Sequence, residues 1–502
     1  METDHPYEIA VMNPVTGEAA GYVPHHTPAD VVRAIAASRE AQKSWQELPF
    51  RQRAKIFIRF HDLIIKQQDE LFDVIQSESG KSRRDAFTEL FAIACAARYY
   101  AYHGERILRP QKRKAAIPPR DHTKVIHHPV GVVGIISPWN FPFILSMGDV
   151  IPALLAGNGV VLKPASLAPL SSLWGRKKLI ECGLPEALFQ IVTGPGRELG
   201  NALVDHVDFL MFTGSTNTGR QMAKRAAERL IPYSMELGGK NALLILPDAN
   251  LKHAATVTIE GSYFNAGQVC INFERIYVHT EIYEAYKAKL LDQIRQIRLG
   301  SGDSYDYDMG SLSSEEQLDV MERQVKDALS KGANLLYGGK PRPDLGQYFY
   351  EPTILEDVRP TMAAYAEETF GPLISLYRVN TIDEAIQLAN DSPYGLYSGV
   401  CAGDLRQGEK VAAQLKAGSV CVNDGYMAWA AVDAPMGGFK ESGVGRRHGS
   451  EGILKYTEAQ TILINRTKFQ ISSMETPLAL NKRLAKILSL LIYLWRRVPF
   501  LR

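Results

Sequence analysis

Paired cysteines are the first thing this sequence lacks. Its five cysteines, Cys95, Cys182, Cys270, Cys401 and Cys421, are scattered through 502 residues without CxxC spacing. That argues against a disulfide framework and a structural zinc site, leaves no metal to expect, and fits a reducing compartment. A dominant charge sign is also missing: 57 Lys and Arg stand against 55 Asp and Glu, for a net charge of +2. Nucleic acid is not an expected partner, and no aromatic-interleaved basic stripe occurs. The N-terminal stretch METDHPYEIAVMNPVTGE has no basic-then-apolar leader pattern, so a cytoplasmic location is expected rather than secretion. What remains is ordinary globular composition, 45% hydrophobic with 40 glycines and 27 prolines. The chain is too long for one core, and roughly 100–200 residues per domain gives two to four domains.

Residues 30–105 carry apolar side chains at helical spacing. The stretch RPQKRKAAIPPRDHTKV is too proline-rich for a helix and reads as an arm or edge strand. VIHHPVGVVGIISPW reads as two strands with a turn at His128-Pro129. GVVGIIS, GNGVVLKP, ALFQIVTG, VDFLMFTGS and NALLILPD are then short strands, separated by helical segments such as SLWGRKKLIECG and TGRQMAKRAAERL. This alternation predicts an α/β fold with a doubly wound parallel sheet and a ligand at its carboxyl edge. A second α/β region follows from about 240 to 440.

Several strings place chemistry at strand ends. Pro138-Trp139-Asn140 follows GVVGIIS, putting an amide on a rigid turn, although a turn asparagine most often satisfies its own backbone. Lys163-Pro164-Ala165-Ser166 follows a second strand; the lysine can reach nucleotide oxygens, yet alone is more often a solvated charge. FLMFTGSTNTGR sets Gly214 and Ser215 at a helix start, whose N–H groups and dipole attract phosphate. GPGRELG at 194–200 approximates a dinucleotide pattern with the wrong spacing, and both glycine strings read equally well as tight turns. MELGGKN carries Glu236, and NAGQVCINFER carries Cys270. A lone buried cysteine is usually inert. Together the pair makes sense, as a thiolate nucleophile and a carboxylate that activates water to release the covalent product.

In this order the strings PWN, KP, FTGS, ELGGK, GQxC, EETFGP and P-GG-K-SG-GR resemble the aldehyde dehydrogenase superfamily, over residues from about 8 to 465. Glu236 and Cys270 stand 34 positions apart, the family's usual separation. The resemblance implies that Cys270 forms a thiohemiacetal with the aldehyde. Asn140 and the Cys270 N–H form the oxyanion hole, roughly 3–4 kcal/mol per donor. Hydride loss to NAD(P)⁺ leaves a thioester, which Glu236-activated water hydrolyses. Trp139, Asn140, Lys163, Pro164, Ala165, Ser166, Gly214, Ser215 and Leu237 would touch the cofactor, and Glu368 and Phe370 the nicotinamide ribose. The implied architecture is a Rossmann-type cofactor domain (1–107 and 129–238), a catalytic domain (239–440) and a small β arm (108–128 and 454–466) for a dimer or tetramer.

The wording is closest to a bacterial NADP-type succinate-semialdehyde dehydrogenase subgroup. Ser166 replaces the glutamate that many NAD⁺-preferring members carry, so a 2′-phosphate is acceptable and NADP⁺ is expected to be accepted or preferred. Where semialdehyde enzymes grip a carboxylate with two arginines, this chain has Phe264 and Gly148. Phe143, Ile144 and Met147 also read as facing the tunnel, with Trp429 a neighbour. An unpaired carboxylate there is costly. The expectation is an aliphatic (medium or long-chain) or aromatic aldehyde, with succinic semialdehyde as the alternative.

A CoA-acylating relative would not need Glu236, and a non-catalytic structural relative would be expected to lose Cys270, Asn140 or Glu236; a cofactor-free thiol hydrolase would need a base such as His beside the cysteine. The C-terminal tail, 476–502, has apolar residues at helical spacing (484, 487, 488, 491, 494, 495) flanked by Lys482, Arg483, Lys486, Arg496 and Arg497. Its apolar core is far short of the ~20 residues that span a bilayer. Two readings stand for 482–502, a helix docked on a partner subunit and an interfacial anchor on anionic lipid.

Overall fold

The computed structural model describes residues 8–115, 121–466 and 482–495. They form two compact units, one of 1–108 and 128–458, the other of 109–127 and 459–502.

The larger unit begins with a two-stranded ribbon, Glu8–Met12 and Ala19–Pro24, then four helices, Pro28–Glu47, Phe50–Lys66, Gln68–Ser79 and Arg83–Leu108. Asp30 accepts from the Thr27 N–H, closing a capping box around Pro28. The helices bury Phe57, Phe60, Phe72 and Tyr100 in one large core.

Two sheets follow. The first runs Gly443–Val444, Tyr233–Glu236, Phe209–Thr213, Val132–Ile136, Gly159–Lys163, Phe189–Ile191, parallel except at Gly443–Val444. All five strings read as strands form strands, and the helices Leu170–Glu181 and Thr216–Glu228 fall on the two segments named for them. The turn expected at His128-Pro129 lies two residues later, because Gly131 supplies the positive φ (125°) it needs. Chain order reverses between Val132–Ile136 and Phe209–Thr213, a topological switch point that opens a crevice at the carboxyl ends.

The second sheet runs Asn334–Tyr337, Thr353–Glu356, Leu373–Val379, Phe273–His279, Asn241–Ile245, Tyr397–Cys401, Ser419–Val422. It is parallel except at its Asn334–Tyr337 edge. Its inner strands are buried along most of their length, as strands covered on both faces are.

The smaller unit is built on a three-stranded sheet in the order Thr457–Asn465, Asp121–Pro129, Gln111–Arg113. It also holds the helix Lys482–Trp495, where Ile487, Leu490, Ile492, Tyr493 and Leu494 are exposed beside exposed Lys482, Arg483 and Lys486. The rest of the tail lies outside the described residues. No helix among the described residues is long and apolar enough to cross a membrane.

Candidate active site

The peptide around Cys270 is held in an unusual shape. Asn265, Ala266 and Gly267 take φ values of 51°, 53° and 70° in succession. Left-handed backbone costs about 1–2 kcal/mol per non-glycine residue, so something must hold it. Asn265 Nδ2 donates to the Asn140 carbonyl at 3.0 Å, and Gln268 Oε1 accepts the Ser313 N–H at 2.9 Å. At Gly267 a Cβ would stand 2.1 Å from the Gly371 carbonyl oxygen, which leaves room only for glycine. Asn241 Nδ2 then donates to the carbonyls of Cys270 (2.8 Å) and Asn272 (2.9 Å). Cys270 is half-buried, and all five cysteines are free thiols.

Glu236 ends the strand Tyr233–Glu236 and is buried, with no hydrogen-bond partner for Oε1 among the described residues. It lines one pocket with Cys270. Burial pushes the Glu236 carboxyl up to about 7 against the pull of Arg447 and Lys455. Burial also pushes the Cys270 thiol up to about 12, helped by the Glu236 and Glu368 carboxylates. A carboxyl that titrates near neutrality can take a proton from water at ordinary pH.

Asn140 directs its amide at the same turn, Nδ2 donating to the Gln268 carbonyl at 2.9 Å with its second hydrogen left for another acceptor. Its backbone carbonyl is gripped by Lys81 Nζ at 2.9 Å, and Lys81 pairs with Glu89 at 2.6 Å, both fully buried. Glu89 Oε2 accepts the N–H groups of Phe143 (2.9 Å) and Ile144 (3.0 Å), capping the helix Ile144–Leu155. One ion pair thus sets both the turn that carries Asn140 and the helix after it.

The pocket over Cys270 is walled by Phe141, Ile144, Leu145, Phe264, Trp429 and Met436. Phe264 stacks on Tyr426 (5.0 Å between centroids, 6° between planes) and on Phe141 (5.5 Å, 30°). Phe143 and Met147, expected to face the tunnel, do not line it. Positions 144, 145 and 148 share the pocket face, while 143 and 147 are a helical turn apart on the opposite side, packed toward Gly175. Arg447 enters the pocket lining from a distant segment, but Asp149 occupies its Nε and Nη2.

The expected cofactor residues gather along the first sheet's carboxyl edge. A groove of ≈ 590 Å³ is lined by Ile136, Phe212, Gly196, Arg197, Thr218 and Lys224, at the switch point. Ser215 caps the helix Thr216–Glu228, accepting the Thr218 N–H at 3.3 Å and leaving a helix N-terminus at the crevice, next to Gly214. Lys163, buried at the end of Gly159–Lys163, donates among the described residues only to the Pro164 carbonyl (2.8 Å), and burial pulls it down to about 8. Its two remaining donors suit ribose or phosphate oxygens, so these residues fit a dinucleotide. Ala165 follows, and Ser166 Oγ donates to the Gly194 carbonyl at 2.9 Å. Leu237 is buried, its N–H donating to the Ser442 carbonyl at 2.9 Å.

Glu368 and Phe370 stand on the second sheet's side. Glu368 Oε1 accepts the Gly239 N–H at 2.8 Å, and burial, with Glu274 nearby, pushes its carboxyl up to about 8. Phe370, at φ 55°, has its N–H held by Glu274 (3.1 Å) and meets Trp139 edge-on at 5.5 Å. Glu274 is itself paired with buried Lys240. Sequence reasoning missed Lys81, Glu89, Asp149, Asn241, Glu274 and Arg447. A charge inside an otherwise apolar helix is a signal that could have found Asp149.

The sequence matches the description of the Aldehyde dehydrogenase family over residues 1–462. It is 46% identical over 467 residues to a Mycolicibacterium smegmatis protein named "Putative succinate-semialdehyde dehydrogenase (NADP+)", covering 93% of this chain and 90% of that one. Two solved structures share the fold. An E. coli "NADP dependent enzyme" superposes with a TM-score of 0.88 at 34% identity, over 91% of this chain and 95% of its own. A Staphylococcus aureus betaine aldehyde dehydrogenase in complex with NAD⁺ superposes with a TM-score of 0.89 at 33% identity, over 95% of each chain.

Proposed function

The chain belongs to the aldehyde dehydrogenase family, and from that premise we propose how its own residues oxidise an aldehyde. The protein is an NAD(P)-dependent aldehyde dehydrogenase. The Cys270 thiol ionises, releasing its proton to solvent, and the thiolate adds to the aldehyde carbon. Asn140 Nδ2 and the Cys270 N–H stabilise the oxyanion. Bound NAD(P)⁺ supplies the hydride acceptor, and Cys270 is left as a thioester. Glu236 then draws a proton from water, which attacks the thioester carbonyl and frees the acid and the thiol. The observation that carries this reading is the pocket shared by Cys270 and the otherwise unpartnered Glu236.

The aromatic stack of Phe141, Phe264 and Tyr426 supports an apolar substrate, an aliphatic or aromatic aldehyde, each buried CH₂ contributing about 0.8 kcal/mol. Succinic semialdehyde is the second reading, supported by the mycobacterial relative's name. Ser166 in place of a carboxylate, three residues after Lys163 at the same strand end, supports preference for NADP⁺. The three-stranded sheet supports a homo-oligomer, dimer or tetramer, and the basic, apolar helix Lys482–Trp495 supports peripheral contact with anionic lipid.

Five outcomes check these assignments. Glu236→Gln is expected to keep a first-turnover burst of reduced cofactor while losing at least about 100-fold in steady-state turnover. In the wild type, turnover should drop about tenfold for each pH unit below the Glu236 value of about 7 and level off above it, because only the ionised carboxylate accepts a proton. Undiminished turnover in the variant would remove Glu236 from the reaction. Ser166→Glu should lower the NADP⁺ to NAD⁺ ratio of kcat/KM at least about tenfold, ~1.4 kcal/mol; a wild type that already favours NAD⁺ tenfold contradicts the preference. Along a series from propanal to dodecanal, kcat/KM should climb past that of succinic semialdehyde, and a clear win for the semialdehyde reverses the substrate assignment. A chain ending at Glu475 should keep its oligomeric mass by light scattering and lose co-sedimentation with anionic vesicles; unchanged vesicle binding excludes the anchor.

A further inference from the structure

Glu236 poses a physical problem. An isolated carboxylate in an apolar pocket is strongly disfavoured, yet a base must be charged to work. No hydrogen bond reaches its Oε1 among the described residues. The compensation must come from charges nearby.

A buried cluster lies there that the reaction scheme does not use. Asp149, on the pocket helix Ile144–Leu155, accepts from Arg447 Nε at 2.9 Å, Arg447 Nη2 at 2.6 Å, Lys455 Nζ at 3.1 Å and Tyr456 Oη at 2.7 Å. Arg447 Nη2 also donates to Thr213 Oγ1. Thr213 is the register partner of Glu236 on the adjacent parallel strand, and paired residues of a parallel ladder point to the same face. The guanidinium is thus tied to the side chain beside Glu236, and it cannot swing away while Asp149 holds two of its nitrogens. The charges also count unevenly: one carboxylate, Asp149, faces two cations, Arg447 and Lys455. Glu236 is the negative charge that completes the set.

We propose that Arg447, clamped by Asp149, is the positioning cation for Glu236, keeping the water-activating carboxylate ionised inside an apolar substrate pocket. The inference rests on Glu236 being the base of the proposed reaction. The groups acting on Glu236 come from four elements: Arg447 and Arg446 from the 443–449 loop, Lys455 after the helix Gly449–Leu454, Asp149 from the pocket helix, and Cys270 from its turn. His448 also lines the pocket; burial, and the Arg447 charge beside it, keep it neutral, with its titration pulled down to about 4. Arg447 is the largest favourable influence on the Glu236 carboxylate, and Asp149 opposes it.

The test is the pH profile of steady-state kcat, read with the burst of reduced cofactor, which reports an intact fold and a working Cys270. Arg447→Gln should keep the burst and move the acid limb of kcat upward by about one pH unit or more, with activity recovered at alkaline pH. Arg447→Lys should move it less. Asp149→Asn, which keeps an oxygen to accept from Arg447 while removing the opposing charge, should move it downward. A structural role alone would not give opposite shifts from the two partners. An acid limb that stays in place in Arg447→Gln, with the burst intact, overturns the proposal. Should that variant not fold, Lys455→Met carries the test, with an upward shift supporting the cluster and none overturning it. Glu236→Gln is run alongside: if it retains turnover, the base assignment itself fails, a result distinct from an unmoved limb in Arg447→Gln.

Discussion

The site depends on how closely two stretches of backbone approach each other at Gly239 and Cys270. A Cβ at Gly239 would lie 2.8 Å from the Cys270 carbonyl oxygen, and one at Gly238 would lie 2.5 Å from Glu368 Oε2. Glu236 ends a strand of the first sheet, and Asn241 begins a strand of the second. The four residues between them carry the chain from one sheet to the other. Without side chains at 238 and 239, Glu236 and Cys270 line one pocket and Glu368 packs against Gly238. Asn241 then ties the crossing down by binding the Cys270 carbonyl.

Around this crossing the molecule buries charges in pairs. Lys81–Glu89 sets the turn that carries Asn140, Lys240–Glu274 sets the backbone of Thr369 and Phe370, and Arg447–Asp149 stands beside Glu236. Such pairs contribute little net stability against apolar replacements, but removing one partner costs about 3–5 kcal/mol. Their value here is geometric. Each carboxylate also accepts main-chain or side-chain donors from a second segment, so each pair fixes loops that have few contacts of their own. Glu236 Oε1, by contrast, has no hydrogen-bond partner among the described residues, with Arg447 in the same pocket lining.

Much of this was legible in the sequence. Short β-rich strings ending in Gly, Pro or Lys marked the strands, because parallel strands buried on both faces must be apolar and end where the crevice opens. Glu236, Asn140 and Lys163 stood at or just after such ends, and Cys270 on a turn before a strand. Phe143 and Met147 were misplaced because a motif names consecutive positions, whereas a helix sorts them by face. Lys81, Glu89, Asp149 and Arg447 were not found, since their partners lie between 8 and 307 positions away and no local pattern joins them. Phe264 was read correctly as apolar, but its stack with Tyr426 joins segments that only the fold brings together.

The central claim is that Cys270 carries the acyl group and Glu236 releases it. The most direct measurement is peptide mass mapping of the Glu236→Gln protein after mixing with an aldehyde and NADP⁺. The account predicts one acyl group per subunit, on the peptide containing Cys270, matched by one equivalent of reduced cofactor. Cofactor reduction without an adduct, or an adduct on another residue, would contradict it.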